Sequence, residues 1–213
     1  MRINLSILAI LVSAIGCSSS ASTKASEPRA KTSANIQDVR DSVTETRACV
    51  DAAVSALAAL SESNEAGLKG NFDRYDSSLE KLGESARKTR DHFTQFRLRR
   101  DAYLSRSLEL SWDVQSPELR AQGEKRRTVL MDAYMTLNGK AQETRKAFVP
   151  LLASLEDCQR FMQSEFTGAS AAALKPELAE IRSHRDAFGA ASDALVAELG
   201  TLAGKMDAEG GSK

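Results

Sequence analysis

Five side chains in this chain are of the kinds that do covalent or metal chemistry elsewhere: the thiols of Cys17, Cys49 and Cys158 and the imidazoles of His92 and His184. A di-metal carboxylate bundle needs a Glu-x-x-His motif on each of two facing helices. Neither histidine has a glutamate three residues before it. Glu180 precedes His184 by four, which on a helix makes an i,i+4 surface pair rather than a ligand set. The spacings that would attach haem (Cys-x-x-Cys-His), hold a catalytic zinc (His-Glu-x-x-His), cradle a phosphate (Gly-x4-Gly-Lys) or present a nucleophilic serine (Gly-x-Ser-x-Gly) do not occur. No catalytic residue, metal ligand or cofactor site is therefore assigned, and the chain is expected not to be an enzyme.

Cys49 and Cys158 invite one further question, because an oxidising compartment would permit a disulfide between them. Counted from their nearest turns, they fall at heights that differ by roughly 9 Å at 1.5 Å per helical residue. That exceeds the usual Cα separation across a bridge, so buried free thiols are expected.

The other chemistry on offer is electrostatic. Between Arg87 and Arg127 stand eleven Lys or Arg against six Asp or Glu. Trp112, the only tryptophan, lies beside the turn in the middle of that section. Arg100, Arg106, Trp112, Arg120, Arg126 and Arg127 make a candidate interaction tip, suited to an acidic protein partner or a lipid headgroup surface. The bland alternative is a solvated coiled-coil end whose Trp caps the seam. For the chain as a whole, 29 basic and 29 acidic residues cancel, so no bulk attraction to nucleic acid is expected.

Long helices must position these groups. Aromatics are only 5% of the residues, which suits helices better than a wide globular core. From Leu68 to Val114, steps of three and four run through Phe72, Tyr75, Leu79, Leu82, Phe93, Phe96, Tyr103 and Leu110. That is a coiled-coil seam of almost seven heptads. Arg100 is its exception, placed to snorkel or to pair with a carboxylate across the seam. A first helix of about 28 residues opens at Ile36 and ends near Ser61–Asn64. Ser116-Pro117-Glu118 is a helix start, with Ser as N-cap and Pro in the first turn. The third seam continues from Leu130 through Met162, with Pro150 expected to kink it. The fourth opens at Ser170 or at Lys175, the choice left open by Pro176, and runs to Met206. These lengths predict an all-α fold over 36–206. It would be an elongated antiparallel up-down bundle of four helices, thinning to a two-helix hairpin at the basic tip because the fourth helix reaches only part-way along the central pair and the first less far.

Upstream, Met1-Arg2 and the apolar run Ile3–Ile15 read as a secretory signal, too short to be a permanent span of about 20 residues. Ala14-Ile15-Gly16-Cys17 resembles the lipobox of bacterial lipoproteins, with Ala14 departing from the usual leucine. The resemblance implies a signal over 1–16, and acylation, with palmitate among the chains, of Cys17 as mature N-terminus. Ser18 in place of Asp implies outer-membrane sorting, facing the periplasm. Residues 17–35 are expected to be a lipidated tether without apolar periodicity, and 207–213 a frayed tail.

From about Val39 to Leu199 the chain resembles an uncharacterised family of bacterial secreted lipoproteins made of long α-helices, a domain-of-unknown-function family. The resemblance rests on Asp38–Ser42, Leu68–Leu82, Pro117–Arg127, Phe148–Leu152 and Leu174–Ile181. It supports fold and secretion and transfers no activity. The expected function is thus a membrane-anchored spacer or adaptor for an envelope protein partner. The rival expectation is a bundle that holds a lipid or small hydrophobe in a cavity bordered by Ala52, Ala53, Ala56, Gly189, Ala190 and Ala191. Self-association through the hairpin seam is a further possibility.

Overall fold

The computed structural model describes residues 20–208, with side chains from 32 to 206. The expected signal, Cys17 and the tail beyond 208 lie outside the described residues. Among the described residues there are five helices and no strand: α1 (Ser20–Ser61), α2 (Glu65–Trp112), α3 (Pro117–Ser164), α4 (Gly168–Ala173) and α5 (Lys175–Ala208). The all-α class is as expected, and the helix count is five rather than four. Pro176 supplies the reason: it has no N–H to give to the carbonyl four residues back. The chain therefore turns at Leu174, whose N–H bonds to Ala171 O at 3.1 Å. The candidate start at Lys175 opens α5, whereas α4 opens at Gly168, before the Ser170 candidate, with the Thr167 hydroxyl accepting from Ser170 N at 3.1 Å as its cap.

The caps follow local chemistry. Asn64 accepts from Gly67 N at 3.1 Å, so α2 begins three residues before the Leu68 seam. Ser116 accepts from Leu119 N at 3.3 Å with Pro117 behind it. The α3 helix runs through Pro150 without ending.

α1 is the main correction. Expected to start at Ile36 after a tether, it is helical from Ser20 and spans 42 residues. Thr32 and Asn35 are buried in line with Ile36 and Val39. The 3-4 spacing continues upstream through polar residues, which a search for apolar periodicity passes over. The first helix is consequently not short and accompanies α2 beyond the expected point, while α5, with 34 residues against 48 in α2 and α3, stops short of the α2–α3 turn as expected.

Partner residues run in opposite numerical order wherever long helices touch. α1 meets α2 through Asn71 Nδ2 on Ala59 O, Lys88 on Glu45 and His92 on Asp38 O. α3 meets α2 through Tyr75–Leu155 and Phe96–Tyr134, and meets α5 through Thr144–Ala191 and Phe148–Phe188. α1 meets α5 through Arg47–Asp193 and Glu62–Lys175.

Two apolar clusters fill the interior, and every long helix contributes to both. One gathers Val50–Leu60, Leu68–Leu82, Leu151–Met162 and Leu178–Phe188. The other gathers Ile36–Val43, Phe96, Leu130–Leu137 and Leu195–Met206. Between them lies a polar level, with Ser42, Thr46, Ser85, Thr144 and Ser192 all buried. Thr46 Oγ1 is 2.9 Å from both Ser85 Oγ and Thr89 Oγ1. Thr144 donates to Ala191 O at 3.1 Å.

Candidate functional site: the hairpin tip

Beyond Phe96 and Leu130, the last buried side chains of the second cluster on their helices, α2 and α3 run on to the turn at 113–116. The turn is held locally. Arg120 donates through Nη2 to Val114 O at 2.8 Å, and Ser116 Oγ donates to Glu118 Oε2 at 2.8 Å. That bond, together with a backbone bond, holds the Glu118 carboxyl below its usual range.

Of the six tip residues named from sequence, Arg100 is the most enclosed. Its guanidinium lies 5.8 Å from the Tyr134 ring centre on α3 and pairs with Asp101 at 2.7 Å. The carboxylate is thus its own neighbour, and what it meets across the seam is an aromatic face. Arg106 pairs with Glu109 at 3.3 Å, and Arg120 serves the turn. Arg126 is exposed and Arg127 half-buried. Trp112 is 69% exposed, so its ring does not cap the seam.

One feature of the tip went unread in the sequence. Leu98, Asp101, Ser105, Leu108 and Trp112 follow a second 3-4 spacing on α2, and its three apolar members are exposed. Leu119, Val129, Met131 and Met135 on α3 are exposed as well. The signal was present as heptad spacing one to two positions off the seam. This surface offers guanidiniums, an indole and aliphatic groups, which is chemistry for contact rather than for turnover.

The remaining candidates fall elsewhere. His92 Nδ1 sits 3.0 Å from Asp38 O, tying α2 to α1, and His184 Nε2 is 3.9 Å from Glu180. Among the described residues no cluster of His, Cys, Asp and Glu is placed to hold a metal. Cys49 and Cys158 are both free. They belong to α1 and α3, helices that are not close-packed neighbours. The small residues proposed to border a cavity line open grooves instead. One of about 420 Å³ runs over Ala52, Ala56 and Ala59 against Ser77, Ser78 and Lys81, and one of about 280 Å³ runs over Gly189 and Ala190 beside Arg47 and Asp193. Ala53 is buried in the packed core.

Burial pushes the Cys158 thiol from 9.0 up to about 11, with Glu177 and Asp157 adding to the rise. The same desolvation raises Tyr75, whose hydroxyl donates to Leu155 O at 2.6 Å. Both groups hold their protons more tightly folded than unfolded. The Cys158 contribution to stability is complete below pH 9 and is lost as pH rises through about 11, and that of Tyr75 is lost only at still higher pH. Two results are expected. Denaturant midpoints should fall over that alkaline interval. Iodoacetamide on native protein should label half-buried Cys49 well before Cys158, as read by peptide mass; equal labelling rates would contradict the packing of α3.

Among the described residues no helix is long and apolar enough to cross a membrane. No curated protein and no solved structure matches the chain. A family model does match, over residues 23–199, which takes in all of α2 to α4 and most of α1 and α5: the chain belongs to the family described as Protein of unknown function (DUF2959).

Proposed function

We propose that the protein is a non-enzymatic envelope lipoprotein, anchored through acylated Cys17 and facing the periplasm from the outer membrane. Its helices would form an elongated antiparallel up-down bundle that works as a spacer or adaptor for an envelope protein. The observation that carries this reading is the separation of the molecule's two ends. The α1–α2 and α3–α4 turns are joined at one end, where Gly168 N donates to Glu65 Oε1 at 2.6 Å and Lys175 pairs with Glu62 at 2.9 Å. The α2–α3 turn is at the other, a 48-residue helix away, or about 70 Å. Val149, Phe161 and Phe166 are exposed on the side of the joined turns and suit a protein contact.

Two measurements test it. Cys17→Ser should move the protein from the membrane fraction to the soluble one, and the native N-terminus should carry acyl mass. A photoreactive residue in place of Phe161 should give a discrete protein adduct in intact cells. An unacylated Cys17 overturns the anchor; failure to crosslink anything overturns the adaptor role. Extraction of a stoichiometric lipid from the purified protein would instead favour the ligand-binding alternative, seated in the open groove between α1 and α2.

A further inference from the structure

The register of α1 on α2 determines where Ser20, the first described residue, lies. Ala59 is level with Asn71, Thr46 with Ser85, and Asp38 with His92. α1 continues as one helix from Asp38 back to Ser20, and Thr32 is still fully buried along it. The same register puts Ser20 level with Leu110, two residues from Trp112. Cys17 precedes Ser20 by three residues in the sequence, so on the anchor reading above the hairpin tip is the end of the rod nearer the lipid.

Charge is divided along the same axis. From Arg97 to Val129 the tip carries eight Lys or Arg against five Asp or Glu. At the opposite end, residues 55–80 hold two basic against five acidic residues, and residues 150–180 the same. The fold brings those two stretches together through Tyr75–Leu155, Phe72–Phe166 and Glu62–Lys175. A chain of zero net charge is thus basic at one end and acidic at the other. The basic end also exposes Leu98, Leu108, Leu119 and the sole tryptophan.

We infer that the α2–α3 tip is a foot that docks on a bilayer surface rich in anionic phospholipid headgroups, with the acidic end directed away from it. Arginines neutralise headgroup charge, while indole and leucine side chains enter the headgroup region. The foot holds the rod's base against the membrane, where one or two acyl chains alone would leave it free to tumble. Its position beside the lipid rests on the Cys17 anchor; its affinity for anionic lipid does not.

Trp112 is its own probe. The full chain would be reconstituted in vesicles of phosphatidylcholine, or of equal parts phosphatidylcholine and phosphatidylglycerol, and Cys17→Ser would be added to the same vesicles from solution. Trp112 emission should shift to the blue and be quenched by brominated acyl chains in the anionic vesicles for both proteins. Arg99→Gln with Arg126→Gln, both at exposed positions, should weaken binding of the Cys17→Ser protein by about 25-fold, about fivefold for each cation. A solvent-like Trp112 in anionic vesicles with Cys17 acylated overturns the foot and leaves the anchor standing. Quenching with Cys17 found unacylated does the reverse. Equal quenching without phosphatidylglycerol, or a protein adduct from a photoreactive residue at position 112 in cells, also overturns it.

Discussion

Tyr75→Ala is expected to destabilise the fold by about 3–5 kcal/mol, and Tyr75→Phe by only about 1 kcal/mol. Tyr75 has no exposed surface and belongs to the larger apolar cluster. It stands between α2 and α3, whose backbones approach each other far less often than those of α1 and α2. Large side chains bridge that wider gap: Tyr75 to Leu155 and Phe96 to Tyr134. Truncating Tyr75 opens a cavity that helices of this length cannot close by a local shift. Removing its hydroxyl alone costs less, because Leu155 O keeps its partner within α3 and no buried donor is orphaned. Urea denaturation followed by far-UV circular dichroism measures both. Equal losses for the two variants would mean that the hydrogen bond, and not the ring, holds α2 to α3.

The second large effect concerns the polar level between the two clusters. Thr46→Val should cost about 1–3 kcal/mol, since it strips buried Ser85 of its side-chain partner, while Thr89 keeps its bond to Ser42 O. Ser192→Ala should be neutral or stabilising, because Ser192 Oγ is buried with no hydrogen-bond partner. Replacing the level as a whole, with Val for Thr46, Thr89 and Thr144 and Ala for Ser85 and Ser192, should recover or exceed the parent stability. It should do so at the expense of a unique register, because buried polar contacts in a heptad seam specify alignment at a cost in stability. Broadened amide spectra with a raised denaturant midpoint would show this. A five-fold variant less stable than Thr46→Val alone would mean that the level stabilises the fold rather than aligning it.

Much of the architecture was legible because heptad spacing is a local signal. The seams of α2 and α3, the Ser116-Pro117 start and the buried positions from Leu130 to Met162 follow from side-chain type at steps of three and four. Polar seam positions were legible only where apolar neighbours flanked them, as at Thr46, Thr144 and Ser192. Thr32 and Asn35, upstream of the first apolar residue of the seam, and Ser85, one step off it, are core positions occupied by residues whose burial depends on a partner elsewhere in the chain. The start of α1 was missed for that reason, and with it the length that brings Ser20 level with the tip. The split between α4 and α5 was half-legible, since Pro176 announced a break without saying that helix resumed on both sides of it.

The sequence alone determined the helical class, the family resemblance and the basic character of the section around Trp112, because each is a property of neighbours along the chain. Tertiary structure decided the rest. Zero net charge conceals a charge axis until residues 55–80 and 150–180 are folded against one another. Which end of the rod Ser20 occupies depends on the α1–α2 register, set by contacts such as Thr46 with Ser85 and Asp38 with His92, between residues 39 and 54 positions apart. Local spacing carries no information at that range, so the placement of the tip beside Ser20 could emerge only from packing.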